Sequence, residues 1–135
     1  MKKLKYKDDI SYWLKFARYD LKCAQLEFKG KLYTAVCYSC QQIAEKSLKA
    51  ALLVFEIKVI KNHDLPKILE KLIQKDKAFA SLSKNCQFLN GFYISTRYPG
   101  DLGGPEGMYD NKDAQKAIRS AKQILQFVEE NINNQ

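Results

Sequence analysis

The sequence predicts an all-α protein, an up-and-down antiparallel bundle of four to five helices. Apolar residues recur at steps of three and four along most of the chain, which is the spacing of helices with one buried face. No stretch alternates between apolar and polar residues over the length of a convincing strand. All predicted connections but one are short, which favours antiparallel neighbours. With 135 residues, of which 46% are hydrophobic, we expect residues 1–135 to form a single domain.

The first two helices differ in how much of their surface is apolar. The first has one apolar stripe between Ile10 and Phe28, and Gly30 is a natural stop signal. The second, from about Tyr33 to Phe55, is apolar around most of its circumference, so we expect it to be central or to lie in a subunit interface. Cys37 and Cys40 form a C-x-x-C pair within it. No second close pair exists, so we interpret both as buried thiols and predict no metal site.

The remaining helices are predicted from caps and from spacing. Asp64 is a good N-cap for the third helix, and Pro66 is tolerated in its first turn. The fourth segment runs from Phe79 to Thr96 with heptad-like apolar spacing. The fifth helix starts near Asn111, with Asp113 in the first turn, where a negative charge is favourable.

One connection is long and rich in glycine and proline. Residues 97–110 hold four of the six glycines and two of the three prolines. Such loops in compact helical domains are often functional or disordered. Two interpretations stay open, a flexible connector and a site loop anchored at Arg97 and Tyr98.

The charge balance is strongly basic. Lys and Arg number 23 against 15 acidic residues, which gives a net charge of +8. This balance is compatible with nucleic acid, a nucleotide or an acidic partner, but the predominance of lysine favours a solvated surface. No apolar run is long enough to span a membrane, and the basic N-terminus leads into Tyr6-Lys7-Asp8 instead of an apolar signal core. We therefore expect no membrane association and a cytoplasmic location.

A polar row on the second helix is the first candidate site. Gln42, Lys46 and Lys49 share a face and could bind phosphate as a row of donors and point charges. Glu45 and Lys49 are also spaced as a surface ion pair, so both interpretations stay open.

The second candidate site combines a helix start with the loop border. His63 and Asp64 precede the third helix, where they could bind an anion or merely cap the helix. At the loop border, Arg97 could fork to phosphate and Tyr98 could stack on a base, or the two could simply pin the loop.

Five segments of the chain form an ordered pattern. The most specific is Q-x-A-E-K-x-L-K-A within residues 40–50, and the full set is Ala17–Ala24, Tyr33–Ala35, Cys40–Ala50, His63–Leu65 and Arg97–Pro99. In these segments the chain resembles the HEPN domain family. It departs from the family pattern at Asn62, where Thr is usual, and at Gly100, which stands between Pro99 and Asp101.

The resemblance implies a helical bundle that is often dimeric. Many small members are encoded beside a minimal nucleotidyltransferase and form a toxin–antitoxin pair with it. Active toxin members are metal-independent ribonucleases with an Arg-x(4–6)-His motif, in which Arg stabilises phosphorane charge and His moves a proton. This sequence lacks the motif, because Glu56, Ile57 and Lys58 precede the sole histidine, His63, at the required spacing.

Three functions are consistent with these features. We expect a regulatory module that binds a nucleotide or RNA, forms a homodimer and pairs with a minimal nucleotidyltransferase, without a cofactor and without enzymatic activity. The alternative is a ribonuclease toxin with a non-standard site at Arg97 and His63. A third possibility is a structural dimerisation domain that binds no nucleotide.

Overall fold

The computed structural model describes residues 4–59, 61–100 and 104–133. Within these residues the chain forms six α-helices and one short 3-10 helix, with no β-strand. The α-helices are α1 (Lys7–Lys29), α2 (Tyr33–Val54), α3 (Leu65–Lys75), α4 (Ser83–Asn90), α5 (Phe92–Ser95) and α6 (Asn111–Asn133), and the 3-10 helix (Lys77–Leu82) precedes α4. The predicted all-α antiparallel bundle is confirmed.

Helix α2 is the centre of the bundle. It packs against α1 along one side and α6 along another, and it also contacts α3, α4 and α5. Its residues are buried almost all the way round, as its apolar composition predicts. Cys37 and Cys40 lie in this core as free, fully buried thiols, and burial raises the pKa of the Cys37 thiol to about 12. The C-x-x-C pair is therefore part of the packing.

In the turn between α1 and α2 the residue with left-handed backbone is Lys31, one position after Gly30. Gly30 follows the last helical residue but has an ordinary negative φ of −80°. The left-handed residue is Lys31, with φ of 61°, and the backbone N–H of Leu32 then donates to the Glu27 carbonyl at 2.9 Å. The turn thus takes the Schellman form with a lysine where glycine is usual.

The third helix begins with the predicted N-cap, whereas the predicted fourth helix is divided into shorter helices. The Asp64 side chain accepts from the Lys67 backbone N–H at 3.3 Å at the start of α3. The predicted fourth helix from Phe79 to Thr96 is instead a 3-10 helix followed by α4 and α5, which Gly91 separates. Asp76 caps the 3-10 helix by accepting from the Ala78 N–H at 2.9 Å.

The long loop returns to the bundle before α6 begins. Residues 101–103 of the predicted loop, 97–110, lie outside the described residues. Further on, the Pro105 carbonyl accepts from the Thr34 hydroxyl at 2.6 Å, and the Tyr109 hydroxyl bonds to that of Ser95 at 2.8 Å. Asp110 and Asp113 then cap α6 reciprocally, since each side chain accepts from the other's backbone N–H at 2.9 Å.

Candidate functional site

A buried carboxylate on α2 is the centre of a polar network. Glu45 is 5% exposed and accepts from Lys49 Nζ at 2.9 Å. Its other oxygen lies 2.7 Å from Nδ1 of His63, in the connection that leads into α3. Gln41, one turn earlier on α2, donates both to Glu45 and to the His63 main-chain carbonyl, each at 3.3 Å. Two polar side chains of the central helix, Gln41 and Glu45, therefore hold His63, and Lys49 pairs with Glu45.

The orientation of the His63 ring follows from its contact with Glu45. Nδ1 is the ring nitrogen that faces the carboxylate, so Nε2 points away from it. The imidazole side chain is 45% exposed. Nε2 makes no hydrogen bond with any described residue, so it is available to an incoming ligand. A carboxylate that orients an imidazole in this way is typical of acid–base sites and of phosphate-binding sites.

Tyr93 brings His63 and Arg97 together. The His63 and Tyr93 rings are stacked, with centroids 4.0 Å apart and planes 15° apart. The Arg97 guanidinium carbon lies 4.2 Å from the same tyrosine centroid, and Arg97 Nε donates to the Tyr93 carbonyl at 2.8 Å. Residues that are 34 positions apart in sequence thus contact one ring.

Arg97 is held by aromatic rings and keeps its terminal nitrogens open. Its guanidinium carbon is 5.4 Å from the Tyr38 centroid and 5.4 Å from the Tyr98 centroid. Within the part of the chain that the structure describes, neither terminal nitrogen bonds to an acidic side chain. A guanidinium placed in this way can fork to a phosphate. A cavity of about 290 Å³ opens beside it, lined in part by Tyr98 and Pro105.

The residues of the polar row that the sequence suggests on α2 are each bonded to another protein group in the structure. Lys49 is 6% exposed and its charge is matched by Glu45, so the predicted i,i+4 ion pair exists but is buried. Lys46 pairs with Asp20 of α1 at 2.6 Å. Gln42 donates to Gln41 at 2.7 Å. All three candidate residues of the row therefore already have protein partners.

The candidate residues at the helix start and at the loop border, in contrast, lie near one another in the structure. His63 and Arg97 meet at Tyr93, and Tyr98 is exposed beside Arg97. Asp64 lies next to His63 as the cap of α3.

Sequence reasoning missed Tyr93 and Tyr38 and treated Glu45 only as a surface partner. Tyr93 stands four residues before Arg97, a spacing that puts both on one helical face. That spacing could have identified it.

Two features are absent from the residues that the structure describes. Among the described residues, no three His, Cys, Asp or Glu side chains are grouped so that they could hold a metal ion. None of the helices in the same residues has the length and apolar character needed to cross a bilayer.

Comparison with known proteins agrees with this architecture. The HEPN domain family model matches residues 10–131. A Methanocaldococcus jannaschii protein named "Putative toxin MJ1304" is 25% identical over 129 residues, which span 87% of this chain and 84% of that protein.

Solved structures are similar as well. TT1696 from Thermus thermophilus superposes with a TM-score of 0.83 at 32% identity, over 90% of this chain and 96% of that one. ST0689, described as an archaeal HEPN homologue, gives 0.77 at 29% identity over 98% and 99%. A HEPN domain protein from Thermotoga maritima, TM0613, gives 0.73 at 22% identity over 90% and 98%, which supports the fold alone. With a family model that covers nearly the whole chain and these structural matches, the protein belongs to the HEPN domain family.

Proposed function

We propose that this protein is a regulatory HEPN module that binds the phosphate of a nucleotide or an RNA at a site formed by His63 and Arg97. The observation that carries the proposal is the shared contact of these two side chains with Tyr93. Arg97 offers two open terminal nitrogens, and His63 offers Nε2. Both are donor groups suited to phosphate oxygens when the imidazole is protonated.

Two features support binding over a purely structural role. The His63 ring is held by Glu45 through one nitrogen while its other nitrogen stays available, an arrangement that packing alone would not require. Tyr98 is exposed beside the guanidinium and could stack on a base. The net charge of +8 favours an anionic ligand in general.

The proposal extends to partners through the family. We propose that the protein forms a homodimer and pairs with a minimal nucleotidyltransferase in a toxin–antitoxin system. The Methanocaldococcus jannaschii relative is named as a putative toxin, which supports this class of system. A tagged pull-down from the native host, with intact-mass analysis of the recovered proteins, tests the pairing.

Binding is tested by comparing two arginine variants. Arg97→Ala removes the proposed phosphate contact, whereas Arg119→Ala removes the same charge from an exposed position on α6. We expect a labelled nucleotide or short RNA to bind the wild type and Arg119→Ala equally, and Arg97→Ala about tenfold or more weakly. Equal binding by both variants would place the ligand elsewhere. If no nucleotide or RNA binds the wild type or raises its Tm, the dimerisation domain without nucleotide binding is the remaining function.

A second function is favoured by the orientation of His63. With Nδ1 bonded to Glu45, Nε2 could take the proton of a ribose 2′-OH, so that the 2′-oxygen attacks the adjacent phosphorus. His63 Nε2 then gives this proton to the 5′-oxygen as that oxygen leaves, and Arg97 stabilises the phosphorane charge. The products would be a 2′,3′-cyclic phosphate and a 5′-hydroxyl.

A cleavage assay with an RNA and its 2′-deoxy analogue distinguishes the ribonuclease from the binding module. An RNA that is cleaved by the wild type but not by His63→Ala, with a 2′-deoxy analogue left intact, would establish the ribonuclease. Binding without a cyclic phosphate product would establish the regulatory module.

A further inference from the structure

Helix α1 has a second stripe of large apolar side chains, and this one faces solvent. Tyr12, Phe16, Tyr19 and Leu26 are 58%, 59%, 64% and 68% exposed. They follow one another at steps of four, three and seven, so they share one face of the helix. The residues of α1 that enter the core, such as Leu14 and Ala17, lie on the opposite side. Three exposed aromatic rings on one face require a functional explanation.

A row of lysines runs along one edge of this stripe. Lys15, Lys22 and Lys29 recur every seven residues and are exposed. None of them forms an ion pair with another described residue, and Lys15 Nζ lies 5.4 Å from the Tyr12 ring centroid. The face therefore has open positive charge beside aromatic rings.

Two acidic residues of the other edge, level with the lysine row, are already bonded, whereas Asp8 and Asp9 in the first turn of α1 are exposed. Asp20 accepts from Lys46 at 2.6 Å, and Glu27 accepts from the Ser39 hydroxyl at 2.6 Å. If two copies packed antiparallel by this face, each lysine row would meet the other lysine row. If they packed parallel, the lysines would meet carboxylates that α2 already engages. Along the part of α1 that carries the lysine row, a second copy thus matches the charges poorly, whereas a polyanion matches them well.

The α1 face is linked to the His63 site by contacts across α2. A surface concavity of about 370 Å³ is lined by Tyr12, Trp13, Phe16, Asp9 and Lys46. Lys46 Nζ lies 5.6 Å from the Phe16 centroid. Lys49 Nζ lies 5.6 Å from the Trp13 centroid and bonds to Glu45, the partner of His63.

We propose that α1 is a binding track for single-stranded polynucleotide, with bases stacked on Tyr12, Phe16 and Tyr19 and phosphates along Lys15 and Lys22. At a rise of about 1.5 Å per residue, successive rings are separated by roughly 4.5–6 Å along the helix, about one nucleotide of an extended strand. The inference rests on the proposed function, because it makes the phosphate at His63 and Arg97 one part of a longer strand.

Length dependence is the first test. Fluorescence anisotropy would compare an unstructured trinucleotide with a twelve-nucleotide strand, each as RNA and as DNA. We expect the longer strand to bind about tenfold or more tightly, because only it can reach both α1 and the site. Equal binding of RNA and DNA supports recognition through bases and phosphates, whereas preference for RNA assigns the strand as RNA. Equal affinity for the two lengths would overturn the track.

Variants of Phe16 separate stacking from a general apolar contact. Phe16→Tyr keeps an aromatic ring and should bind the long strand as the wild type does, whereas Phe16→Leu should bind it about tenfold more weakly. The side chain is exposed, so folding is expected to be unaffected by either change.

The salt dependence of binding tests the lysine row. Lys22→Ala should lower the slope of log affinity against log salt concentration by about 0.7, whereas Lys122→Ala, on α6, should leave this slope unchanged.

The outcomes distinguish this inference from the proposed function. If Arg97→Ala weakens binding but Phe16→Leu does not, the site stands and the track fails. If Phe16→Leu converts a dimer to a monomer without changing strand affinity, the stripe covers a second copy and the track fails. If neither variant affects binding, both proposals fail.

Discussion

Removing the negative charge of Glu45 tests the polar network at its centre. Glu45 and Lys49 are 5% and 6% exposed, so Glu45→Gln would leave a lysine buried without a counterion. Breaking a buried ion pair from one side costs about 3–5 kcal/mol. For a domain whose free energy of unfolding is about 5–15 kcal/mol, that is a large fraction of the stability.

The partners of the ion pair offer a matched control and a rescue. Asp20→Asn breaks the Lys46 pair, whose side chains are 18% and 21% exposed, and should cost roughly 1 kcal/mol. Glu45→Gln combined with Lys49→Met removes both charges at similar volume and should recover most of the loss.

Urea unfolding followed by circular dichroism measures these differences. Glu45→Gln should lower the urea midpoint well beyond Asp20→Asn, and the double variant should lie between Glu45→Gln and the wild type. The reasoning would be refuted if Glu45→Gln cost less than about 1 kcal/mol, or if the double variant were less stable than Glu45→Gln.

Three further predictions follow from single residues. Lys31→Gly should stabilise the protein by roughly 0.5–1 kcal/mol, because a left-handed φ of 61° costs lysine more than glycine; a lower Tm would contradict this. The hydrogen bond from the Asp113 backbone N–H lowers the pKa of Asp110 below 3.8, so the charge of Asp110 stabilises the fold above pH 3.8, and this stabilisation is lost as the pH falls through the lowered pKa. The free energy of unfolding of Asp110→Asn should therefore approach that of the wild type in acid. A difference between the two proteins that stays constant across pH would contradict this prediction. Iodoacetamide at pH 8 should modify Cys23 in the native protein and Cys37 only after unfolding, as mass spectrometry would show, because burial raises the Cys37 pKa to about 12.

The helices were predictable because their signals are local. The stripe from Ile10 to Phe28 lies within α1, and the expected start of the last helix at Asn111 matches the structure. The break of the fourth segment at Gly91 was not predicted, because apolar spacing continues across it and the glycine itself has helical φ and ψ. The left-handed Lys31 was missed because Gly30 is the residue that the sequence favours for that role.

The site was predictable only in part, because it depends on packing between distant segments. His63 and Arg97 were both candidates, but their meeting depends on how the connection before α3 lies against α5. An i,i+4 pair such as Glu45 and Lys49 looks the same in sequence whether it is exposed or buried. Its burial depends on covering residues that include Trp13 of α1.

One signal in α2 nevertheless indicates the network. Gln41, Glu45 and Lys49 recur at steps of four on a helix that is otherwise apolar around most of its surface. A buried charge is stable only when it is paired and hydrogen-bonded, so a polar row on a central helix implies partners from elsewhere in the chain. His63 supplies both its ring and its carbonyl to that row. The same pairing that makes the charges tolerable in the core therefore fixes the imidazole beside Tyr93, so the stability of α2 and the geometry of the site depend on the same bonds.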